Sequence, residues 1–363
     1  MTDILIVCGS GGVGKTTMSA ALGLDIAQRE NKRVLVITVD PARRLASALG
    51  VTAQGNDVVG LDVALNGGSV SVSMLDTKQG WDALVARHAP TADVARRVLN
   101  NTLYQNITER FVNSHDYIAI ERLHEVANSG EFDVVVVDTP PSRNALGVLD
   151  APERMCDFFA SRLLRWLTVP TSSRLFGLAS RPFFALADRV LGARFLSDVT
   201  EFFALFKQME PGFVRHAKEV EAMLRTAATK FIVVTTPEHA PLAEAQYLLT
   251  ALHERGFASS GLIVNRMLPL ELRNIPVDTG STPEDVSEVA LSLSIEHDEA
   301  MRLVGRINAA TTHLNEMGSA QAELVAQLRR EGIVVTEVPE LTTDVDEIAT
   351  IVLLAKVLSP KPS

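Results

Sequence analysis

A glycine-rich segment near the start of the chain carries its clearest chemical pattern. Residues 9–17 read Gly-Ser-Gly-Gly-Val-Gly-Lys-Thr-Thr, which matches the phosphate-binding pattern G-x-x-x-x-G-K-[ST]. An apolar run at 4–8 precedes the segment and a helical pattern at 16–30 follows it, which is the context this pattern requires. A glycine-rich turn without a ligand is the structural alternative, but it leaves the Lys-Thr pair unexplained. We therefore expect a nucleotide phosphate here.

Each residue type in this segment suits one part of ATP bound with Mg²⁺. The glycines let backbone N–H groups close around phosphate oxygens, and the helix N-terminus adds a partial positive charge. Lys15 is expected to reach the β- and γ-phosphates, and the Thr16 hydroxyl to ligate Mg²⁺. The predicted phosphate-binding residues are Gly11, Gly12, Val13, Gly14, Lys15, Thr16 and Thr17.

Two aspartates each follow an apolar run and are candidates for the same site. Asp138 comes after 133–137 and before two prolines, so its carboxylate is expected at the carboxyl edge of a sheet, where it can help to hold Mg²⁺. Asp40 precedes Pro41, and we predict that it orients and polarises the water that attacks the γ-phosphate. Capping is the alternative for both: a helix or turn cap for Asp138, and an N-cap for Asp40, which can act in both ways.

The elements that must position these residues are visible as short runs rich in Val, Ile and Leu. Their continuous apolarity is typical of parallel strands that helices cover on both faces. Helical patterns such as 16–30 and 240–255 separate them, so we predict an α/β fold with a doubly wound, mostly parallel sheet. The predicted strands are 4–8, 33–39, 70–75, 133–137, 231–235, 261–264 and 333–338.

Two stretches interrupt the alternation of strands and helices. Residues 151–228 contain no convincing strand and are rich in Phe and Met, which predicts an inserted α-helical subdomain. Residues from about 270 to 330 begin as a polar loop and continue as a charged helical pattern, which predicts an exposed helical arm. The nucleotide-binding core is then formed by 1–150 and 229–363.

Composition excludes several classes of partner. The chain has 34 Lys and Arg against 44 Asp and Glu, a net charge of −10, which offers no global attraction for nucleic acid or anionic lipid. No apolar run approaches the roughly 18 residues needed to span a bilayer, so we expect no stable membrane insertion. The first residues lack the basic start of a signal peptide, which favours a cytoplasmic protein.

The three nucleotide motifs together resemble the ArsA/GET family of P-loop ATPases, which includes arsenite-pump subunits and targeting factors for tail-anchored proteins. The resemblance rests on residues 9–17, on Asp40-Pro41-Ala42 and on the segment that begins at Asp138, and it covers the whole chain. It implies a dimeric, Mg²⁺-dependent ATPase. It also implies that Asn265 hydrogen-bonds adenine and that the loop near Pro339 packs on the base, although an Asn at a strand end is also a common turn residue.

The sequence departs from the family pattern at the position of the signature lysine, which reaches across the dimer in other members. Ser10 occupies this position and cannot supply a positive charge. Weak hydrolysis, a lysine from a paralogous partner or a substituting arginine are the possible consequences. The candidate arginines are Arg43, Arg44 and Arg143, because they lie beside the second and third motifs.

The two cysteines, Cys8 and Cys156, are too few for the thiolate sites of the family. Arsenite binding needs several converging cysteines, and a zinc clasp needs a C-x-x-C pair that the chain does not contain. The sequence therefore predicts no zinc or arsenite site.

The leading hypothesis is an ATP-hydrolysing dimer, a homodimer or a heterodimer with a paralogue, whose nucleotide state controls a helical subdomain that binds a hydrophobic helix or partner. The alternative is a non-catalytic or weakly catalytic ATP-binding assembly subunit. Large apolar residues of the insertion are expected to line a groove for such a client, or else to form the subdomain's own core. These residues are Phe158, Phe159, Leu163, Leu164, Trp166, Phe183, Phe184, Phe202, Phe203 and Phe206.

Overall fold

The computed structural model describes most of the chain and shows one mixed sheet. It describes residues 2–39, 49, 51, 55–63, 65, 67–107, 114–139, 147–161, 193–273, 275–276, 283–341 and 348–359. Within these ranges the strands lie in the order β3-β4-β2-β5-β1-β6-β7-β8, and every pair is parallel except β3 with β4. The strands are β1 Asp3–Cys8, β2 Arg33–Thr38, β3 Val58–Gly60, β4 Ser69–Met74, β5 Val134–Asp138, β6 Thr229–Thr235, β7 Ser259–Met267 and β8 Val335–Pro339. The predicted α/β fold with a mostly parallel sheet is confirmed.

Helices occupy most of the described chain between the strands. They are α1 Lys15–Glu30, α2 Thr77–His88, α3 Ala92–Leu99, α4 Thr102–Ile107, α5 Ser114–Ala127, α6 Gly147–Ala160, α7 Ala193–Gln208, α8 Glu210–Leu224, α9 His239–Glu254, α10 Pro283–Leu293, α11 His297–Arg330 and α12 Ile348–Leu358. Among the described residues, no helix combines the length and the apolar character that crossing a bilayer requires.

Alternate residues of each central strand face opposite sides of the sheet, and both sides are covered. In β1, Leu5 and Val7 pack in one core with α1 and α12, whereas Ile4 and Ile6 pack in a second core with the other helices. The central strands are therefore buried on both faces, which explains why their sequences are apolar throughout.

The second core extends into a layer of helices rich in aromatic residues. Helices α6, α7 and α8 from the predicted insertion pack against helices of the 77–127 region, including α3, α4 and α5. Phe159, Phe202 and Phe206 are at most 5% exposed, and the rings of Phe159 and Phe206 stack with 5.3 Å between their centroids. Phe158 and Phe203 are half-buried against the same core.

These contacts favour the interpretation that the described phenylalanines form the core of the helical layer. The other members of the expected groove lie outside the described residues. They are Leu163, Leu164, Trp166, Phe183 and Phe184.

Helix α11 is tied to the β7–β8 edge of the sheet along its second half. Asn315 exchanges two hydrogen bonds with the backbone of Ile275, at 3.0 and 2.7 Å, and Gln321 accepts one from the N–H of Leu268. Near its end, Arg329 contacts Glu337 of β8 at 3.2 Å. Helix α11 also packs against α10.

Candidate functional site

The glycine-rich loop lies between β1 and α1, at the carboxyl edge of the sheet. A Cβ atom on Gly9 would lie only 2.2 Å from the carbonyl oxygen of Val234 on the neighbouring strand, so a side chain has no room there. Gly14 is the N-cap of α1 and has a φ of 91°, a conformation that favours glycine. Since Gly14 has no side chain to cap the first turn of α1, this helix end is built to receive an anion.

Lys15 begins α1 and folds back over the loop. Its side chain is 6% exposed, and Nζ donates a hydrogen bond to the carbonyl oxygen of Ser10 at 2.7 Å. The ammonium group is therefore held within the loop that a phosphate would enter. The hydroxyl oxygen of Ser10 is buried and makes no hydrogen bond with any described residue.

Asp138 joins three chain segments through one carboxylate oxygen. Its Oδ2 accepts hydrogen bonds from the hydroxyl of Thr16 on α1 at 2.8 Å and from the hydroxyl of Thr38 on β2 at 2.9 Å. Asp138 and Thr38 are each 1% exposed. An ionised carboxylate accepts both bonds, and such charge-assisted bonds are stronger than neutral ones.

Thr38 is a site residue that the sequence analysis missed. It ends β2 directly opposite Asp138 in the parallel ladder between β2 and β5. The signal in the sequence is a polar residue at the end of an apolar run, two positions before Asp40. This signal has a meaning only once β2 and β5 are known to be neighbours.

Thr16 and Asp138, which the sequence analysis assigned to Mg²⁺, lie within hydrogen-bond distance of each other. Hydroxyl and carboxylate oxygens are hard donors of the kind that Mg²⁺ prefers, and the loop beside them is shaped for phosphate oxygens. The donor set therefore fits Mg²⁺ held jointly by protein and phosphate.

Asn265 and Pro339, the predicted adenine contacts, lie at the ends of the neighbouring strands β7 and β8. Asn265 is 8% exposed, and its Nδ2 donates a hydrogen bond to the carbonyl oxygen of Val13 in the glycine-rich loop at 2.9 Å. The contact seen for Asn265 is thus a brace on the loop. Its predicted role toward adenine stays a prediction.

Four predicted site residues lie outside the described residues. They are Asp40, Arg43, Arg44 and Arg143. Asp40 follows Val39, whose backbone N–H donates to the carbonyl oxygen of Asp138 at 3.2 Å. The last described residue before Asp40 therefore lies beside the Thr38–Asp138 pair.

Cys8 ends β1 immediately before the loop but does not provide a reactive thiolate. Burial raises its pKa to about 12, and its hydrophobic neighbours belong to the core. This agrees with the interpretation of Cys8 as a small buried hydrophobic residue.

Comparison with known proteins supports the family that the three nucleotide motifs resemble. The family model described as anion-transporting ATPase matches residues 2–279. An ATPase ASNA1 homolog of Entamoeba dispar is 27% identical over 275 residues, covering 73% of this chain and 76% of that protein. The ATPase GET3 of Phaeosphaeria nodorum is 24% identical over 269 residues, with coverage of 73% and 76%, and the ATPase get3 of Aspergillus terreus is 25% identical over 269 residues, with coverage of 73% of each. This chain belongs to the anion-transporting ATPase family.

Proposed function

We propose that the protein is a Mg²⁺-dependent ATPase whose nucleotide state controls the helical layer. The observation that carries this proposal is the cluster in which Thr16 and Thr38 both donate to Asp138 beside the buried Lys15. The cluster combines a cation for the β- and γ-phosphates with hard oxygen donors for Mg²⁺. When bound, Mg²⁺ would neutralise charge on the phosphate oxygens during phosphoryl transfer.

The protein's own residues would divide the work of hydrolysis. Lys15 would exchange its bond to the Ser10 carbonyl for the β- and γ-phosphate oxygens, because a phosphate offers a stronger, charged acceptor. Asp40 would hold and polarise the attacking water, since an ordinary carboxylate is too weak a base to remove its proton outright. Asn265 would keep the loop in shape through Val13 and reach the adenine with its remaining hydrogen-bonding capacity.

We further propose that the working unit is a dimer. The chain contains one phosphate-binding motif, and the family resemblance implies a site that two such motifs share. The buried hydroxyl of Ser10 supports the view that this position does not contribute a charge across that interface. The positive charge at that interface would then come from an arginine, namely Arg43, Arg44 or Arg143, or from a lysine of a paralogous partner.

The proposed control of the helical layer extends to a hydrophobic client. Phe159, Phe202 and Phe206 are buried in the core of the helical layer, and Phe158 and Phe203 are half-buried against it, so a client groove would also draw on apolar residues of 162–192. The competing function, a weakly catalytic assembly subunit, is favoured by the same Ser10 position. ATP turnover with and without an apolar peptide separates the two functions.

The deciding experiment is ATP binding by the Lys15→Ala variant, measured by calorimetry with Mg²⁺ present. We expect binding to be lost, because this variant removes the cation that faces the phosphates. Lys78→Ala is the matched control, since Lys78 is an exposed lysine on α2 that pairs with Asp82 four residues later on the same helix. Equal ATP affinity in wild type and Lys15→Ala would overturn the assignment of the phosphate site.

A second experiment addresses the missing charge. Ser10→Lys should raise the turnover of an isolated homodimer if no other cation reaches the phosphates. If Ser10→Lys lowers turnover and Arg143→Ala abolishes it, an arginine already has the role of the lysine. A monomer in ATP by light scattering would refute the shared site.

A further inference from the structure

Helices α5 and α8 bring two pairs of carboxylate and imidazole side chains together, in the helical layer and apart from the glycine-rich loop. On α5, Glu121 and His124 are three residues apart, and on α8, His216 and Glu219 have the same spacing in the reverse order. Residues three apart on a helix share a face, so each helix presents one carboxylate and one imidazole.

The facing side chains are in direct contact. The Nε2 atom of His216 lies 2.5 Å from a carboxylate oxygen of Glu121, and its Nδ1 atom lies 3.2 Å from a carboxylate oxygen of Glu219. The rings of His124 and His216 meet edge to face with 4.6 Å between their centroids. One candidate ligand atom from each of His124, His216 and Glu219 falls within 4.8 Å of the other two.

We propose that His124, His216 and Glu219 form a binding site for a divalent transition-metal ion of the Zn²⁺ type, which fastens α5 to α8. Two imidazoles and one carboxylate form a ligand set that Zn²⁺ accepts, with water or another ligand in the remaining position. His216 Nδ1 and Glu219 already lie 3.2 Å apart, and pairs near the 4.8 Å limit need to approach by about 1–1.5 Å to meet metal–ligand bonds of about 2.0–2.2 Å, a distance that side-chain rotation can supply.

Glu121 acts as a positioning residue in the proposed metal site. It is 4% exposed and receives the Nε2 side of His216, which directs Nδ1 toward Glu219. Carboxylates that hold the distal nitrogen of a metal-bound histidine fix the ring and raise its basicity. A metal ion between Nδ1 of His216 and the Glu219 carboxylate would replace their direct contact at 3.2 Å.

The site is open on one side. The side chain of Glu219 is 52% exposed and that of His216 is 9% exposed, so a metal ion can enter from solvent and still bind a fixed imidazole. The Nδ2 atom of Asn128 lies 3.1 Å from Nε2 of His124, a contact that a metal ion bound at that nitrogen would replace. The expectation of no zinc site rested on the cysteine count and does not extend to imidazole ligands.

His88 adjoins this cluster without belonging to the proposed ligand set. Its ring centroid lies 5.3 Å from that of His216, and its Nε2 atom is buried without a hydrogen bond to any described residue. It therefore provides a matched control, because it is a histidine in the same surroundings that the proposal leaves uncoordinated.

The test is a Zn²⁺ titration of the full chain against a chromophoric chelator, with Mg²⁺ in excess so that the oxygen donors at Asp138 are occupied. We expect one equivalent to bind, and His124→Gln and Glu219→Gln each to weaken binding at least about 10-fold. Glu121→Gln should weaken it by about 10- to 100-fold, as loss of an outer-shell partner does. His88→Gln should leave the affinity unchanged.

Two further measurements keep the outcome decisive. Co²⁺ in place of Zn²⁺ should give visible bands of a four- or five-coordinate ion without thiolate charge-transfer absorption, which excludes Cys8 and Cys156 as ligands. Glu219 is half-exposed, so its variant should fold even if His124→Gln does not, as circular dichroism will show. Absence of saturable binding in the wild type, or unchanged affinity in Glu219→Gln, would overturn the site. Unchanged affinity in Glu121→Gln would overturn the positioning role.

Discussion

Replacing Thr38 by valine tests whether the network around Asp138 prepares the site for Mg²⁺. Valine has nearly the shape of threonine and suits a buried strand, so the main loss is the hydroxyl that donates to Asp138 at 2.9 Å. Hydrogen bonds to charged groups contribute about 1.5–3 kcal/mol when buried, and both residues are 1% exposed. We therefore expect thermal unfolding to begin a few degrees lower.

Thr38→Val should weaken Mg²⁺ affinity more than nucleotide affinity. Loss of an outer-shell hydrogen bond to a metal-binding carboxylate costs about 10- to 100-fold in metal affinity. Because Asp138 keeps its hydrogen bond from Thr16, we expect the loss of Mg²⁺ affinity to be near the lower end of this range, about 10-fold. The assay is ATP turnover as a function of Mg²⁺ concentration, with ADP affinity measured without Mg²⁺ as a reference.

Thr38→Ser is the matched control for this experiment. It keeps the hydroxyl and loses one methyl group, which costs about 0.8 kcal/mol of burial. Its half-saturating Mg²⁺ concentration should stay close to that of the wild type, even if its stability falls. If Thr38→Val and Thr38→Ser show the same Mg²⁺ dependence as the wild type, the hydroxyl does not prepare Asp138 and the reasoning is wrong.

Three more predictions follow from the site and its neighbours. Gly14→Ala should abolish measurable nucleotide binding, since a Cβ there would lie 2.5 Å from the side-chain amide of Asn265 at a backbone φ of 91°; calorimetry would show otherwise if the loop tolerates it. Asp40→Asn should keep ATP affinity while slowing turnover, because the amide preserves the size and capping ability but loses the charge; equal turnover would leave Asp40 as a cap only. Cys156 should react with a disulfide reagent before Cys8 does in the folded protein, because Cys8 is buried and burial raises its pKa to about 12, whereas Cys156 is half-buried; burial raises the pKa of Cys156 too, so its reaction should speed up as pH rises, and equal rates for both thiols before unfolding would contradict this.

The fold could be predicted where burial determines sequence. Strands such as β1 and β5 are covered on both faces, and their apolar runs mark them almost to the residue. The strand β3 was missed because it is a three-residue, antiparallel edge strand whose residues are largely exposed, so no apolar run marks it. A short pairing of this kind depends on its neighbour β4 and not on its own composition.

The site could be predicted where a continuous segment or the end of an apolar run marks its residues, as for residues 9–17 and for Asp138, which lies 2.8 Å from the Thr16 hydroxyl. The loop before Lys15 is such a segment, and the structure shows the strand, turn and helix that its pattern requires. Thr38 was missed because its importance depends on the pairing of β2 with β5, which lie far apart in sequence. The meeting of His124 with His216 has the same origin, since two helices supply it and neither carries a metal-binding pattern alone.

Asn315, Gln321 and Arg329 tie the second half of α11 to the β7–β8 edge, where Asn265 and Pro339 lie. A tilt of the helix about this attachment would be magnified at its first residues. Because a helix rises about 1.5 Å per residue, the part from His297 to Asn315 is about 27 Å long, and a tilt of about 10° around Asn315 displaces the far end by about 5 Å. A small tilt of α11 at this edge would therefore move α10 by about the width of a side chain, while the strands hardly change.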